Sequence, residues 1–386
     1  MPHHVACVNC GGVHFRPVLC FNGGSGWEKL EEHCMRAESL EFLRRLVSTP
    51  SPSGHEAEIQ KLCAKYAAPF SDDIFKDVHG NQYHVKNADA PLRIMLAGHV
   101  DEIALMINDI DDKGFLGFVA VGGVDPSVLD GQRVHVHGRE ETVPGVVGRT
   151  AIHLMEKDDR GKPLKIHELW IDIGARDKED AESLVAIGDV ATIDAEFLQL
   201  RNERAVARGF DNRIGAFVVL EVLRLLENLS SDCAVFSVTT VQEEIGLRGA
   251  RTSSFRCDPH AAIAVDVGHA VDYPNVDQRR HREGRIAEGA LLFRGPNINP
   301  VLGQQLIDVA RDKEIPYQVA AAPKATGTDA NAIQLNREGV ATAIVSIPTR
   351  YMHSPVELIS LEDAEQCARL IAEWIGTLTK DASFIP

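Results

Sequence analysis

The chain has 386 residues, enough for two or three domains at roughly 100–200 residues each. Apolar residues make up 44% and charged residues 25%, a composition that supplies a core and excludes global disorder. Forty Lys+Arg against 56 Asp+Glu leave a net charge of −16, which argues against sequence-independent nucleic-acid binding and against adhesion to anionic membranes.

No apolar run approaches the ~18 residues of a membrane span. His3, His4, Asn9 and His14 interrupt any signal-peptide core. Of the eight cysteines, Cys7, Cys10, Cys20 and Cys34 lie near the N-terminus, and Cys63, Cys233, Cys257 and Cys367 are scattered. That distribution fits a reducing compartment better than a disulfide framework. A cytoplasmic protein is expected.

Residues 1–34 are rich in Gly, His and Cys and show no helical or strand period. Cys7 and Cys10 form half a zinc knuckle, but Cys20 and Cys34 supply no second CxxC. This stretch is expected to be an N-terminal extension, disordered or upstream of a true start at Met35. A helix follows, with Leu40, Leu43 and Val47 on one face. Pro50, Pro52 and Gly54 break it, and a second helix is predicted over 55–68. Strands are predicted over 74–78, 82–85 and 93–97, the last running into His99-Val100-Asp101.

Between 104 and 198 strands look short and glycine turns recur, with one helix at 178–185, the texture of a small β-barrel or sandwich. From 205 onward, helices (211–228, 301–313, 328–336, 361–379) alternate with apolar strands (234–240, 261–266, 317–321, 341–347). Such alternation predicts an α/β fold with a largely parallel sheet. The expected organisation is an α/β domain in two parts, 35–103 and 199–386, interrupted by a β domain over 104–198.

Five polar clusters fall at strand ends or helix starts: His99-Val100-Asp101, Asp211-Asn212-Arg213, Glu243-Glu244, Asp266 and His353-Ser354-Pro355. Open α/β sheets bind ligands beyond the carboxyl ends of their strands. Imidazoles and carboxylates without cysteine suit Zn²⁺, Co²⁺ or Mn²⁺. Each cluster also admits an ordinary structural role. His99 could be a buried histidine satisfied by Asp101, and Asp211 a helix cap. Glu243 and Glu244 would point opposite ways at a strand end. An unpaired Asp266 ending a buried strand would be costly.

The motifs Gly98-His99-Val100-Asp101-Glu102, Phe210-Asp211-Asn212-Arg213, Val241-Gln242-Glu243-Glu244-Ile245-Gly246, Gly327-Thr328-Asp329-Ala330 and Arg350-Tyr351-Met352-His353-Ser354-Pro355-Val356-Glu357 occur in this order. Together they closely resemble the tetrahedral and glutamyl aminopeptidase family, the dinuclear metallo-aminopeptidases of peptidase family forty-two. Trp170-Ile171-Asp172-Ile173-Gly174-Ala175 matches a further signature, and the resemblance runs from about 35 to 376.

The resemblance implies a zinc-peptidase type of fold, a mostly parallel sheet flanked by helices and interrupted by a small inserted β-barrel. It implies two divalent metal ions per subunit, zinc first, with cobalt or manganese as alternatives. His99, Asp211 and Asp266 would hold one ion, and Asp211, Glu244 and His353 the other. Asp101 would orient His99, and Glu243 would be the general base toward a water shared by both ions. The implied activity is removal of N-terminal residues from short peptides, with peptides and further copies of the chain as partners. A hollow homododecamer assembled through the inserted domain would complete the picture, with no nucleic acid or membrane. Alternatives on this scaffold are a metallo-deacylase, a glucanase-like hydrolase, or a catalytically silent peptide-binding shell protein.

Two departures stand out. Residues 1–34 have no counterpart in the family pattern, and Ile286-Ala287-Glu288-Gly289 replaces a more glycine-rich loop. The nearby basic run Arg279-Arg280-His281-Arg282 reads as a solvated loop or as a source of preference for acidic N-terminal residues.

Overall fold

The computed structural model describes residues 35–158, 160–277 and 284–386. Five elements build the first part of the chain: helices α1 (Ala37–Ser48) and α2 (Ala57–Ala67), then strands β1 (Asp73–Lys76), β2 (Gln82–Lys86) and β3 (Leu92–His99). The insertion holds β4 (Ala104–Ile110), β5 (Leu116–Val121), β6 (Arg133–His137), β7 (Thr142–Gly148), β8 (Trp170–Asp172), α3 (Lys178–Leu184) and β9 (Val190–Ile193). Next come β10 (Leu198–Gln199), β11 (Arg204–Ala207), α4 (Phe210–Leu225), β12 (Cys233–Thr240), α5 (Arg248–Cys257) and β13 (Ala261–His269). The chain ends with β14 (Ala290–Arg294), α6 (Pro300–Asp312), β15 (Tyr317–Ala321), α7 (Ala330–Ile333), β16 (Ala341–Thr349), β17 (Glu357–Ser360) and α8 (Leu361–Thr377).

The main sheet has eight strands in the order β1-β2-β12-β3-β13-β16-β14-β15. Its centre, β12-β3-β13-β16, is parallel, and these strands are buried almost throughout, as strands covered on both faces must be. One face carries α1, α4, α6 and α8 over the largest apolar core, and α5 and α7 cover the other. A three-stranded sheet, β10-β11-β17, lies beside them. The insertion closes into a six-stranded antiparallel barrel, β4-β5-β8-β7-β6-β9, with its own core of Leu105, Ile107, Phe118, Val134, Val136 and Ile171. Among the described residues no helix is long and apolar enough to cross a membrane.

Several details differ from the sequence reading. The helix predicted over 328–336 is only Ala330–Ile333. The strand predicted to end at Asp266 continues to His269, so Asp266 lies inside the strand. Helix α5 and strand β14 were not predicted. The α5 sequence buries Gly249, Ala250, Ser253, Ser254 and Cys257, a face of small residues with no large-apolar period to reveal it.

Candidate metal centre

The four parallel strands run to a common edge. β3 ends at His99, and β12 ends at Thr240, its register partner, just before Glu243 and Glu244. β13 carries Asp266 beside Ser346 of β16, and the loop after β16 carries His353. Helix α4 brings Asp211 to this edge because it lies against the sheet without side chains between them. A Cβ on Gly98 would sit 2.5 Å from the carbonyl carbon of Gly215, an approach only glycine permits.

Asp211 stands between two imidazoles. Its Oδ1 is 3.3 Å from Nε2 of His99, and its Oδ2 is 3.2 Å from Nε2 of His353. Nε2 of His99 is also 3.7 Å from Oε2 of Glu243, and Nε2 of His353 is 3.6 Å from Oε1 of Glu244. One donor atom from each of His99, Glu243 and Asp266 lies within 4.8 Å of the others, as do donors from His99, Asp211 and Glu244. The group lines an open cleft of about 1120 Å³ whose other walls include Phe293, Lys324, Thr326 and Met352.

The electrostatics are those of crowded, buried acids. Burial pushes the Glu243 carboxyl up to about 10 against the opposing charge of His99, with Asp266 and Asp329 adding repulsion. Burial and the Asp211 charge raise Glu244 to about 8. Burial, then repulsion from Asp211 and Asp329, holds Asp266 well above the usual carboxylate range. Burial also opposes ionisation of Asp211, but hydrogen bonds from His353 and His99 outweigh it and hold Asp211 low. Burial works against a charged His99, yet Glu243, Asp101 and Asp211 together hold its ring well above the ordinary value. The hydrogen bond to Asp211 leads the causes that raise His353 to about 9. Two imidazoles and four carboxylates in one buried group are a donor set of the kind that binds hard or borderline divalent cations.

The family model of the M42 glutamyl aminopeptidases matches residues 80–370. The chain belongs to this family. A lysyl aminopeptidase from Pyrococcus furiosus is 38% identical over 349 residues, covering 90% of this chain and 99% of its own. The TET aminopeptidase of the marine sediment archaeon Thaumarchaeota archaeon SCGC AB-539-E09 superposes with a TM-score of 0.85 at 34% identity, over 88% of this chain and 96% of that one. The TET1 peptidase of Pyrococcus horikoshii, which can assemble into a tetrahedron or a large octahedral shell, gives 0.78 at 29% identity, over 88% and 100%.

In this M42 chain, all seven residues singled out from the sequence meet at the strand edge. Asp101 lies behind them: its Oδ1 is 3.3 Å from Nδ1 of His99. The backbone N–H groups of Glu243 and Glu244 donate to its two oxygens at 3.0 and 3.2 Å, and the Ser53 hydroxyl donates at 2.6 Å. Asp101 therefore ties the His99 strand to the adjacent-glutamate turn. Gln242, Leu247, Tyr351 and His353 all have left-handed backbone, the local strain that gathers at functional sites.

Three contributors escaped the sequence reading. Glu357 accepts hydrogen bonds from the backbone N–H groups of Asp211 and His353. Gly123, in the barrel, offers its carbonyl to the His353 ring. Glu102 is buried with Arg208 and Arg213 and braces the backbone beside both Asp101 and Asp211. Glu102, Arg213 and Glu357 stand inside the quoted motifs, which was the available signal. Gly123 had none. The insertion, expected to mediate assembly, thus also reaches a candidate ligand. Cys7, Cys10, Cys20, Cys34 and the Arg279–Arg282 run lie outside the described residues.

Proposed function

We propose that the chain is a two-metal aminopeptidase that removes N-terminal residues from short peptides. The observation that carries this reading is Asp211, whose two oxygens face two different imidazoles across the cleft. A single carboxylate shared between two ligand groups is what a bridged pair of ions needs. The donor set fits: each acid, pushed upward by burial and then by its acidic neighbours, would be relieved by cations. His99, Asp211 and Asp266 would hold one ion, and Asp211, Glu244 and His353 the other. Two divalent ions, zinc first with cobalt or manganese as alternatives, supply Lewis acidity and make water a nucleophile at neutral pH.

The chain's own residues supply the rest. Asp101 holds His99 in one orientation and fixes the turn on which Glu243 and Glu244 sit. Glu243 is the general base: its carboxylate takes a proton from water as the water oxygen bonds to the scissile carbonyl carbon. When the C–N bond breaks, Glu243 returns that proton to the leaving amine. Glu244, one residue on in the same turn, faces the His353 ring and serves as ligand. Self-association into a closed shell, as described for the Pyrococcus horikoshii relative, would confine the site to short peptides.

The test is chelation of the full-length protein, then readdition of Zn²⁺, Co²⁺ or Mn²⁺, with a panel of aminoacyl-chromophore substrates and their N-acylated counterparts. The expected result is loss on chelation, recovery with metal, and cleavage only where the amine is free. Activity that survives chelation would contradict the reading, as would hydrolysis of the acylated substrates, which would instead make the protein a deacylase.

A further inference from the structure

We propose that Glu357 is a positioning residue that sets the distance between Asp211 and His353 and so governs the affinity of one of the two ion sites. The inference rests on the two-metal reading above and concerns a residue outside the assigned ligands and base.

Glu357 opens β17 and is 2% exposed. Its Oε2 accepts the backbone N–H of Asp211 at 2.9 Å, and its Oε1 accepts the backbone N–H of His353 at 2.9 Å. β17 pairs with β11, Glu357 opposite Ala207, only four residues before Asp211. The carboxylate therefore sits where the two chain segments carrying these residues meet, and it bonds one amide from each. Among the described residues no Lys, Arg or His nitrogen forms an ion pair with it. A buried carboxylate without a cation is costly unless its hydrogen bonds repay it. Here those bonds go to the backbone of a candidate shared ligand and of a candidate terminal ligand.

The clamp has a mechanical reason. His353 has a φ of 60°, a conformation that a non-glycine residue leaves readily unless its surroundings hold it. Glu357 fixes the amide of that residue and, with the same carboxylate, the amide of Asp211. Asp101 acts in the same way on the opposite side, bonding the amides of Glu243 and Glu244. Two buried carboxylates thus each hold two backbone amides of the centre. A glutamine at 357 has the same shape but only one acceptor oxygen, so one amide would face an NH₂ donor.

The test measures ion affinity in the full-length protein by competition with a chromophoric zinc chelator, for the parent, Glu357→Gln and Glu357→Asp. Two ions per chain are expected in the parent. In Glu357→Gln one ion should bind about 10–100-fold more weakly, the usual effect of removing a partner behind a ligand, while the other, which shares only Asp211 with the clamp, weakens markedly less. Glu357→Asp keeps both acceptors on a shorter stem and should fall between the two. Excess Zn²⁺ should restore kcat in both variants, with KM for the peptide unaltered. Parental affinity for both ions in both variants would overturn the clamp while leaving the two-metal reading intact. Equal weakening of both ions would make Glu357 merely structural. A single ion in the parent would defeat the two-metal reading itself, and the clamp with it.

Discussion

Nδ1 of His353 lies 2.9 Å from the carbonyl oxygen of Gly123, so the inserted domain orients an imidazole of the candidate metal centre. A carbonyl can only accept, so Nδ1 carries a proton, and Nε2 faces Asp211 and Glu244, donating to Asp211 until a cation displaces its proton. The barrel and the α/β sheet are thereby coupled at the centre, whatever the barrel also does between subunits.

Replacing Gly123 by Ala should expose that coupling. A Cβ there would lie 2.9 Å from Nδ1 and 3.0 Å from Cε1 of His353, so the ring must move. Gly123 is not in the left-handed region, so its backbone accepts alanine. We expect metal affinity to fall by about 10–100-fold with an unchanged melting temperature of the metal-free protein. Parental metal binding would show that the contact does not orient the ring.

Metal loading should release protons. In the ion-free protein burial and Asp211 raise Glu244 to about 8, and the Asp211 hydrogen bond raises His353 to about 9. Both groups hold protons at pH 7, and both must lose them to bind a cation. Apparent affinity should therefore climb as pH rises toward about 9 and fall as pH drops, by up to ~tenfold per unit for each proton displaced. Calorimetric titration with Zn²⁺ in two buffers of different ionisation enthalpy reads this directly. Identical heats in both buffers at pH 7 would contradict it.

The pair Glu102–Arg213 should be structural and expensive to break. Arg213 is fully buried and donates to Glu102, to the Ser51 hydroxyl and to the Val47 carbonyl. Arg213→Met keeps the bulk but leaves Glu102 with Arg208 alone. Removing one partner of a buried pair costs about 3–5 kcal/mol. Chemical denaturation of parent and variant should differ by about that amount, and a difference below ~1 kcal/mol would show that Arg208 suffices.

Much of this architecture was legible in the sequence because its signals are local. β12, β13 and β16 are predominantly apolar runs, as strands buried on both faces tend to be. Each ends in or precedes a polar cluster, which placed the candidate ligands at one edge. The parts that stayed hidden depend on distant partners. Glu357 bonds an amide 146 residues away, and Gly123 meets a histidine 230 residues away. No spacing rule carries such a contact. Helix α5 was missed because glycine, alanine and serine make its buried face, and Asp266 was read as a strand terminus because its charge looked like an end to an apolar run.

A chain beginning at Met35 should behave as the full one. Met35 is buried in the main core, and α1 starts at Ala37. Melting temperature, particle size by light scattering and peptidase activity should all be retained. Loss of activity together with one extra equivalent of zinc would instead make Cys7 and Cys10 part of a required zinc site.

On the two-metal reading, the adjacent glutamates divide the work, Glu243 as base and Glu244 as ligand. Elemental analysis of bound metal, paired with kcat, for Glu243→Gln and Glu244→Gln tests it most directly. Glu243→Gln keeps shape but cannot accept a proton, so kcat should fall by ~10²–10⁴ with two ions still bound. Glu244→Gln should lose occupancy of one ion and regain activity in excess metal. Loss of metal from Glu243→Gln while Glu244→Gln stays fully loaded would reverse the two roles, and full loading with full activity in both would place the chemistry elsewhere.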